Sequence, residues 1–345
     1  MDERLTIRLA VTLGLVLAID LLLAVGLALV LEPWVAVVLA RIGIETTAPS
    51  VAAVAVVVMA VLLVGQLRYT RQELLAETDA TVAGPDDSAL TDRVRRLAAQ
   101  ADMPTPTVAI SRSPVPNSMA IGDLGSGTIV VSRGLVERLD DAELDAVLAH
   151  ELVHLKNRDA LVMTGATFVP ALVADEYSPF DGLPSWVKPA TAGTALLAAA
   201  LLAGSFLDAP VVTPTGFVQF AVATVVTLVV AGLVLGVLAA ALVGAAGSLS
   251  RYREYVADRD GAHLAGNPAA LANALAGLSG DDRRPETDKR LTTQGLCLLP
   301  YGFDAPDQPS DADGRSVDFR SHPAVETRIA RLREQAGRLE TDRTR

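Results

Sequence analysis

The chain is short of three residue types, and each shortage excludes something. Cys297 is the only cysteine in 345 residues, so an intramolecular disulfide is ruled out and a reducing compartment fits. Lysine occurs only at Lys156, Lys188 and Lys289, and the net charge is −11. Nothing in that balance points to nucleic acid as a partner. An acidic, lysine-poor surface fits work at high salt, where screening weakens self-repulsion, and an acidic proteome gives the same composition. Histidine is also scarce, at four residues, yet two of the four stand in one short stretch.

That stretch, Ala149 to Asp159, reads "AHELVHLKNRD". On a helix, residues i and i+4 share a face, so His150 and His154 can direct both imidazoles at one ion. Neutral imidazole suits zinc, and a catalytic zinc site keeps one position open for water. Zinc lowers the pKa of that water to about 7, and Glu151, next to the first histidine, is placed to take its proton and pass it to a leaving amine. This is the H-E-x-x-H pattern. An amphipathic helix with two surface histidines is the plain alternative. The flanks predict a packed helix: Asp140 with Glu143 forms a capping box, and Leu144, Val147, Leu148, Leu152 and Leu155 form an apolar stripe.

A three-ligand site needs another donor. A metzincin arrangement would have histidine six residues past His154 and an intervening glycine; Ala160 and Asn157 stand there, which excludes it. Asp159, five residues past His154, falls off the metal-facing side if the helix continues. Asp175, Glu176 or a residue far downstream remain as donors.

The chain is 51% hydrophobic with mean hydropathy +0.38, too apolar for an ordinary soluble protein. Four segments, Leu9–Leu31, Val51–Leu67, Ala192–Leu207 and Phe217–Ala246, approach or exceed the roughly 20 residues that cross a bilayer. Asp20 in the first reads as a helix-packing or snorkelling residue. Four spans put Arg4, Arg8, Arg68, Arg71, Lys188, Arg251 and Arg253 on one side and only Arg41 on the other. By the positive-inside tendency the basic side is the cytoplasm. The predicted organisation is an N-terminal hairpin (1–76), a first catalytic part (77–190), a second hairpin (191–246) and a second catalytic part (247–345).

Between the hairpins, Glu77–Ser88 reads as a polar linker, "LTDRVRRLAAQA" as a helix and "TVAIS" as a strand. "NSMAIGDLGSGTIVVS" reads as a β-hairpin. A downstream ligand requires an even number of crossings after His154, which two spans supply. The last apolar run then continues as a helix carrying Glu254 and Asp258, four apart and on one face. Glu254 is a candidate third ligand, and Asp258 a candidate to orient a ligating imidazole without touching the metal. A charged helix face is the alternative. Gly280–Ser321, with its apolar "CLLPYGF", reads as a cover over the cleft or as a disordered insertion.

"AHELVHLKNRD" followed about a hundred residues later by "SRYREYVAD" resembles the HtpX branch of the Ste24/HtpX-type membrane zinc metalloproteases. "PNSMAIG", "GTIVVSRGLVERL", "FAVATVV", "GNPAALANAL" and "SHPAVETRIARL" resemble segments of that family in the same order. The resemblance implies a mainly α membrane protein with four transmembrane helices, and an α+β gluzincin-type zinc metallopeptidase domain with a small β-sheet. It implies one zinc on His150, His154 and Glu254, Glu151 as general base, and Asp258 as the orienting aspartate. His322 and Arg328 match a pair that contacts substrate or stabilises the oxyanion. The family's "NAFA" edge strand reads Asn117, Ser118, Met119 and Ala120 here; a polypeptide substrate can add to it by β-pairing. The third span lies further downstream than in the family, and His263 is expected to be a surface residue.

The resulting expectation is a multi-pass protein of the plasma or inner membrane. Its catalytic domain is cytoplasmic, with the bilayer and polypeptides as partners and homo-oligomers compatible. It would cleave misfolded or damaged membrane proteins. A proteolytically silent scaffold and a CAAX-type prenyl-protein endopeptidase are the alternatives.

Overall fold

A computed structural model describes residues 3–41, 49–163, 166, 212–279, 296–299 and 323–343. Asp175, Glu176, His322, the expected span Ala192–Leu207 and most of Gly280–Ser321 lie outside the described residues. The chain divides into two compact units, one of residues 1–168 with 242–345 and one of residues 169–241.

The first unit begins with two long helices, α1 (Glu3–Arg41) and α2 (Pro49–Glu77). In α1, Leu5, Leu9, Val16 and Ile19 are buried at helical spacing, together with Asp20, while Ile7, Val11, Leu13, Leu17 and Leu21 are exposed. An apolar exposed face of that extent has no place against water. Among the described residues one stretch, Glu3–Gly26, is long and apolar enough to cross a membrane. The expected second and fourth spans fall on helices, but their qualifying apolar stretches are shorter, Ala52–Val61 and Pro214–Val226.

The expected linker is not featureless: Ala80–Val82 forms β1 and Pro85–Asp87 a 3-10 turn. Helix α3 (Ser88–Gln100) follows, then β2 (Thr107–Ser111), β3 (Ser118–Ile121) and β4 (Thr128–Ser132). The sheet order is β1-β2-β4-β3. β3 and β4 pair antiparallel, Ser118 opposite Val131, as the expected hairpin, and β2 runs parallel to β4. Gly127 at the hairpin's end has φ +78°, a left-handed conformation that glycine adopts without steric cost. β1 pairs with the outer side of β2, so β1 and β3 are the two edge strands of the sheet, and β3 is the one whose Ser118–Ile121 follows Asn117.

The short α4 (Arg133–Arg138) leads into α5 (Asp141–Asn157). After residues 212–213 comes α6 (Pro214–Leu264), 51 residues long, whose first part belongs to the second unit and whose remainder belongs to the first. Helix α7 (Pro268–Ser279) starts with Pro at its first position, where no helical N–H is lost, and Asn267 Oδ1 accepts from Ala270 N at 3.1 Å. Helix α8 (Val325–Arg343) closes the chain. The core of the first unit gathers Leu97, Ile129, Val131, Leu148, Leu152, Leu271 and Leu275 between the sheet and α3, α5 and α7.

Candidate metal centre

Helix α5 begins as its sequence dictates. Asp140 Oδ1 accepts from Glu143 N at 2.8 Å, and Glu143 Oε2 accepts from Asp140 N at 3.2 Å, so two terminal donors are satisfied reciprocally. Leu144, Val147, Leu148, Leu152 and Leu155 are all buried, which fixes the helix's rotation. His150 and His154 then fall side by side, ring centroids 4.7 Å apart, with their Nε2 atoms 3.1 Å from each other.

Helix α6 brings a candidate third donor from about a hundred residues away. A Cβ on Gly261 would meet His150 Cα at 2.7 Å, so only glycine lets the two backbones come this close. That crossing carries Glu254 to the histidines. Glu254 Oε2 is 3.6 Å from His150 Nε2, and Oε1 is 3.5 Å from His154 Nε2. Four ligands at the zinc bond length of about 2.0–2.1 Å in a tetrahedron stand roughly 3.3 Å apart. The three measured edges bracket that value, and the three side chains form the metal-competent cluster found among the described residues.

Each histidine is held from behind. His154 Nδ1 is 3.0 Å from Asp159 Oδ1, and His150 Nδ1 is 3.1 Å from Asp258 Oδ1. The Asp159 carboxylate fixes the proton on His154 Nδ1, so that its Nε2 lone pair faces the shared point, while Asp258 stands at ion-pair distance from His150 Nδ1. Asp258 is gripped in turn by Arg328, whose Nε donates to Oδ2 at 2.8 Å and Nη2 to Oδ1 at 2.7 Å. Arg328 Nη1 lies 3.1 Å from Glu254 Oε2, and Arg253 Nη2 lies 3.4 Å from Glu254 Oε1.

Charge gives an independent test of the fit. Among the described residues, the buried charged side chains around this point are Arg253 and Arg328 against Glu151, Asp159, Glu254 and Asp258. With neutral imidazoles these described side chains sum to two net negative charges, which a divalent cation would cancel. Burial alone would push the His150 imidazole down, but Asp258 and Glu254 hold its proton up to about 9. Burial would likewise raise the Asp258 carboxyl, yet Arg328 and His150 hold it below its ordinary range. The pocket favours positive charge, and these donors fit zinc.

Glu151 stands beside the donors and not among them. It is 1% exposed. Its Oε1 accepts from Ser118 Oγ at 2.6 Å, and its Oε2 has no hydrogen-bond partner among the described residues. One oxygen is positioned and the other is available. Ser118 therefore turns its side chain to the glutamate while its carbonyl faces the sheet edge. There it accepts from Leu298 N at 2.7 Å, and Met119 faces Cys297 in an antiparallel bridge. The Asn117 side chain donates to Leu299 O and accepts from Leu299 N, both at 3.1 Å. Met119 and Ala120 are buried in β3.

The structure thus brings together His150, Glu151, His154, Glu254, Asp258 and Arg328, with Asn117 and Ser118 at their edge; His263 is exposed. Two contributors, Asp159 and Arg253, had no role in the site as read from sequence. Asp159 was expected to turn away, but Arg158 caps α5 in the left-handed conformation, φ 62°. The chain reverses there and brings Asp159 back onto His154. Arg253, 1% exposed, is the other; its one signal was its place next to Glu254 in a segment otherwise read for carboxylates.

The sequence pattern of peptidase family M48 matches residues 85–178 and 189–336. The chain is 32% identical to protease HtpX homolog 1 of Streptomyces coelicolor over 349 aligned positions, covering 99% of this chain and 94% of that protein. It is 32% identical to protease HtpX homolog 2 of Methanosarcina mazei, covering 78% of this chain and 80% of the relative. It is also 32% identical to the protease HtpX homolog of Moorella thermoacetica, covering 84% and 86% respectively. The crystal structure of S. mikatae Ste24p aligns with 79% of this chain and 58% of its own, at 18% identity and a TM-score of 0.36.

Proposed function

The chain belongs to peptidase family M48, and we propose that it is a zinc-dependent endopeptidase, anchored in the cell membrane by four helices, that cleaves misfolded or damaged membrane proteins from the cytoplasmic side. The observation that carries the chemistry is the buried His150–His154–Glu254 triangle beside Glu151, whose Oε2 has no hydrogen-bond partner among the described residues. The exposed apolar faces of α1 and α2 support the anchor.

Zinc, when bound, polarises a peptide carbonyl and acidifies water. The protein's own groups do the rest. Glu151 Oε2 takes the proton from the attacking water and returns it to the leaving amine, while Ser118 Oγ holds Oε1 in place. Asp159 keeps the His154 imidazole in the tautomer whose Nε2 lone pair is available to a metal, and Asp258 pairs with His150 from behind. The main chain of β3, at Asn117 to Ala120, offers an edge to which an extended polypeptide adds by strand pairing. Among the groups assigned to substrate contact, Arg328 stands beside this edge, donating from Nη1 to Leu298 O at 2.9 Å. His322 is proposed with it on the family resemblance.

Purified, zinc-loaded protein is expected to degrade casein and to stop when zinc is chelated, with activity returning on zinc addition. Protein with full zinc content that leaves casein intact overturns the reading. Ser118→Ala is expected to keep its zinc and lower kcat by about 10–100-fold, since hydrogen bonds to charged groups contribute about 1.5–3 kcal/mol. An unchanged kcat would mean that the hydroxyl does not position Glu151.

A further inference from the structure

The β3 edge of the sheet is covered by the chain itself. Leu296, Cys297, Leu298 and Leu299 lie along β3, and none is more than 1% exposed. Their contacts are those a bound peptide makes. Leu298 N donates to Ser118 O, the Asn117 amide engages both main-chain groups of Leu299, and Arg328 Nη1 donates to Leu298 O. Ser118 therefore joins two things: its carbonyl holds Leu298 and its hydroxyl holds the general base Glu151. Arg328 joins two more, since the nitrogen that binds Leu298 O also lies 3.1 Å from the metal-ligand candidate Glu254. The segment sits at the chemistry, on the edge strand that carries Ser118.

We infer that Leu296–Leu299 is a built-in pseudosubstrate, which occupies the strand-pairing edge at rest and leaves when a polypeptide enters. The inference rests on the protease reading above. It also names the substrate class: an extended segment of uncharged aliphatic residues. Such a segment replaces both the main-chain hydrogen bonds and the four buried side chains that depart. A polar segment would regain the main-chain bonds but bury polar side chains without partners, a cost that discriminates against it. A folded protein presents no such segment, whereas an unfolded or displaced apolar stretch does. Resting occupancy of the edge also prevents it from pairing with other chains, a hazard of exposed strands.

The bridge between Met119 and Cys297 makes the inference testable. The Leu298 N to Ser118 O bond flanks this pair, the pattern of a non-hydrogen-bonded antiparallel pair with Cα atoms about 4.5 Å apart. That separation falls within the disulfide range of about 4.4–6.8 Å. Met119→Cys creates the single thiol pair of the chain, because Cys297 is its only cysteine. Oxidised protein, its segment tied to β3, is expected to cleave casein and an aliphatic reporter peptide at least about tenfold more slowly than the same protein after phosphine reduction, at equal zinc content. Equal rates before and after reduction overturn the inference.

Leu298→Pro provides the second variant. It removes the N–H that Ser118 O accepts, and loss of one such bond is expected to raise kcat/KM for the reporter about 2–10-fold. An unchanged or lower kcat/KM at full zinc content overturns the inference and makes the segment a fixed part of the domain. Should the reduced Met119→Cys protein be slow in itself, this variant decides. If wild type and reduced variant both hold zinc and neither cleaves, the protease reading itself is wrong, an outcome distinct from equal rates in the two redox states.

Discussion

Glu151→Gln is expected to abolish nearly all casein cleavage while leaving zinc content near one per chain. The substitution keeps the shape of the side chain, so Ser118 Oγ still has an oxygen to donate to, and Glu151 is not among the three metal-competent donors. What it removes is the oxygen that has no hydrogen-bond partner among the described residues and the capacity to take a proton. General acid–base groups contribute about 10²–10⁴-fold, and the loss is expected in kcat with little change in KM, because the proton moves only in the transition state. Metal analysis and initial rates on the same preparation check it. A variant that keeps more than about a tenth of the wild-type rate assigns the proton transfer elsewhere. Wild-type protein is also expected to nick itself during purification, and the variant to stay intact.

The parts of this site that sequence reveals are those fixed by local rules. The capping box, the stripe on α5 and the i, i+4 histidines each depend on residues within one or two turns, and all take the positions that helical geometry assigns them. The β3–β4 hairpin is equally local. Asp159 was not legible, because counting at 3.6 residues per turn assumes that the helix continues. Arg158 ends it in the left-handed region, and the usual signal for that turn, a glycine or asparagine at the same position, is missing.

Glu254 was legible as one of a pair with Asp258, but its choice over Asp175 or Glu176 required either a family resemblance or the crossing itself. The mark of that crossing is Gly261 pressed on His150, which reads from sequence as an unremarkable glycine near a helix end. Ser118 was read through its backbone as strand edge, and its hydroxyl's contact with Glu151 depends on how the sheet packs on α5. The edge-covering segment is the least local of all. "LCLL" shows only that something apolar must be buried; its partner, Asn117, is 182 residues back in the chain from Leu299.

Buried charge makes the proposed third ligand, Glu254, and its neighbour Asp258 separable by experiment. Glu254→Ala deletes one corner of the triangle and one of the carboxylates that balance the cation. It also leaves Arg328 Nη1 and Arg253 Nη2, now 3.1 and 3.4 Å from the lost oxygens, facing the histidine pair. Zinc affinity is expected to fall by more than about 100-fold, beyond the 10–100-fold typical of groups that only orient a ligand. Asp258→Ala has the opposite balance. Its zinc affinity is expected to fall within that 10–100-fold range, since His150 stays in place. Its fold suffers more, because Arg328, 1% exposed, loses both bonds of a bidentate pair. Removing one member of a buried ion pair costs about 3–5 kcal/mol. Zinc content after dialysis against buffered zinc, with urea unfolding of the same metal-free proteins, measures both. Full zinc in the Glu254 variant would move the third ligand to a residue outside the described ones, Glu176 first among them. Equal unfolding midpoints for wild type and the Asp258 variant would mean that Arg328 finds its charge balance in Glu254 alone.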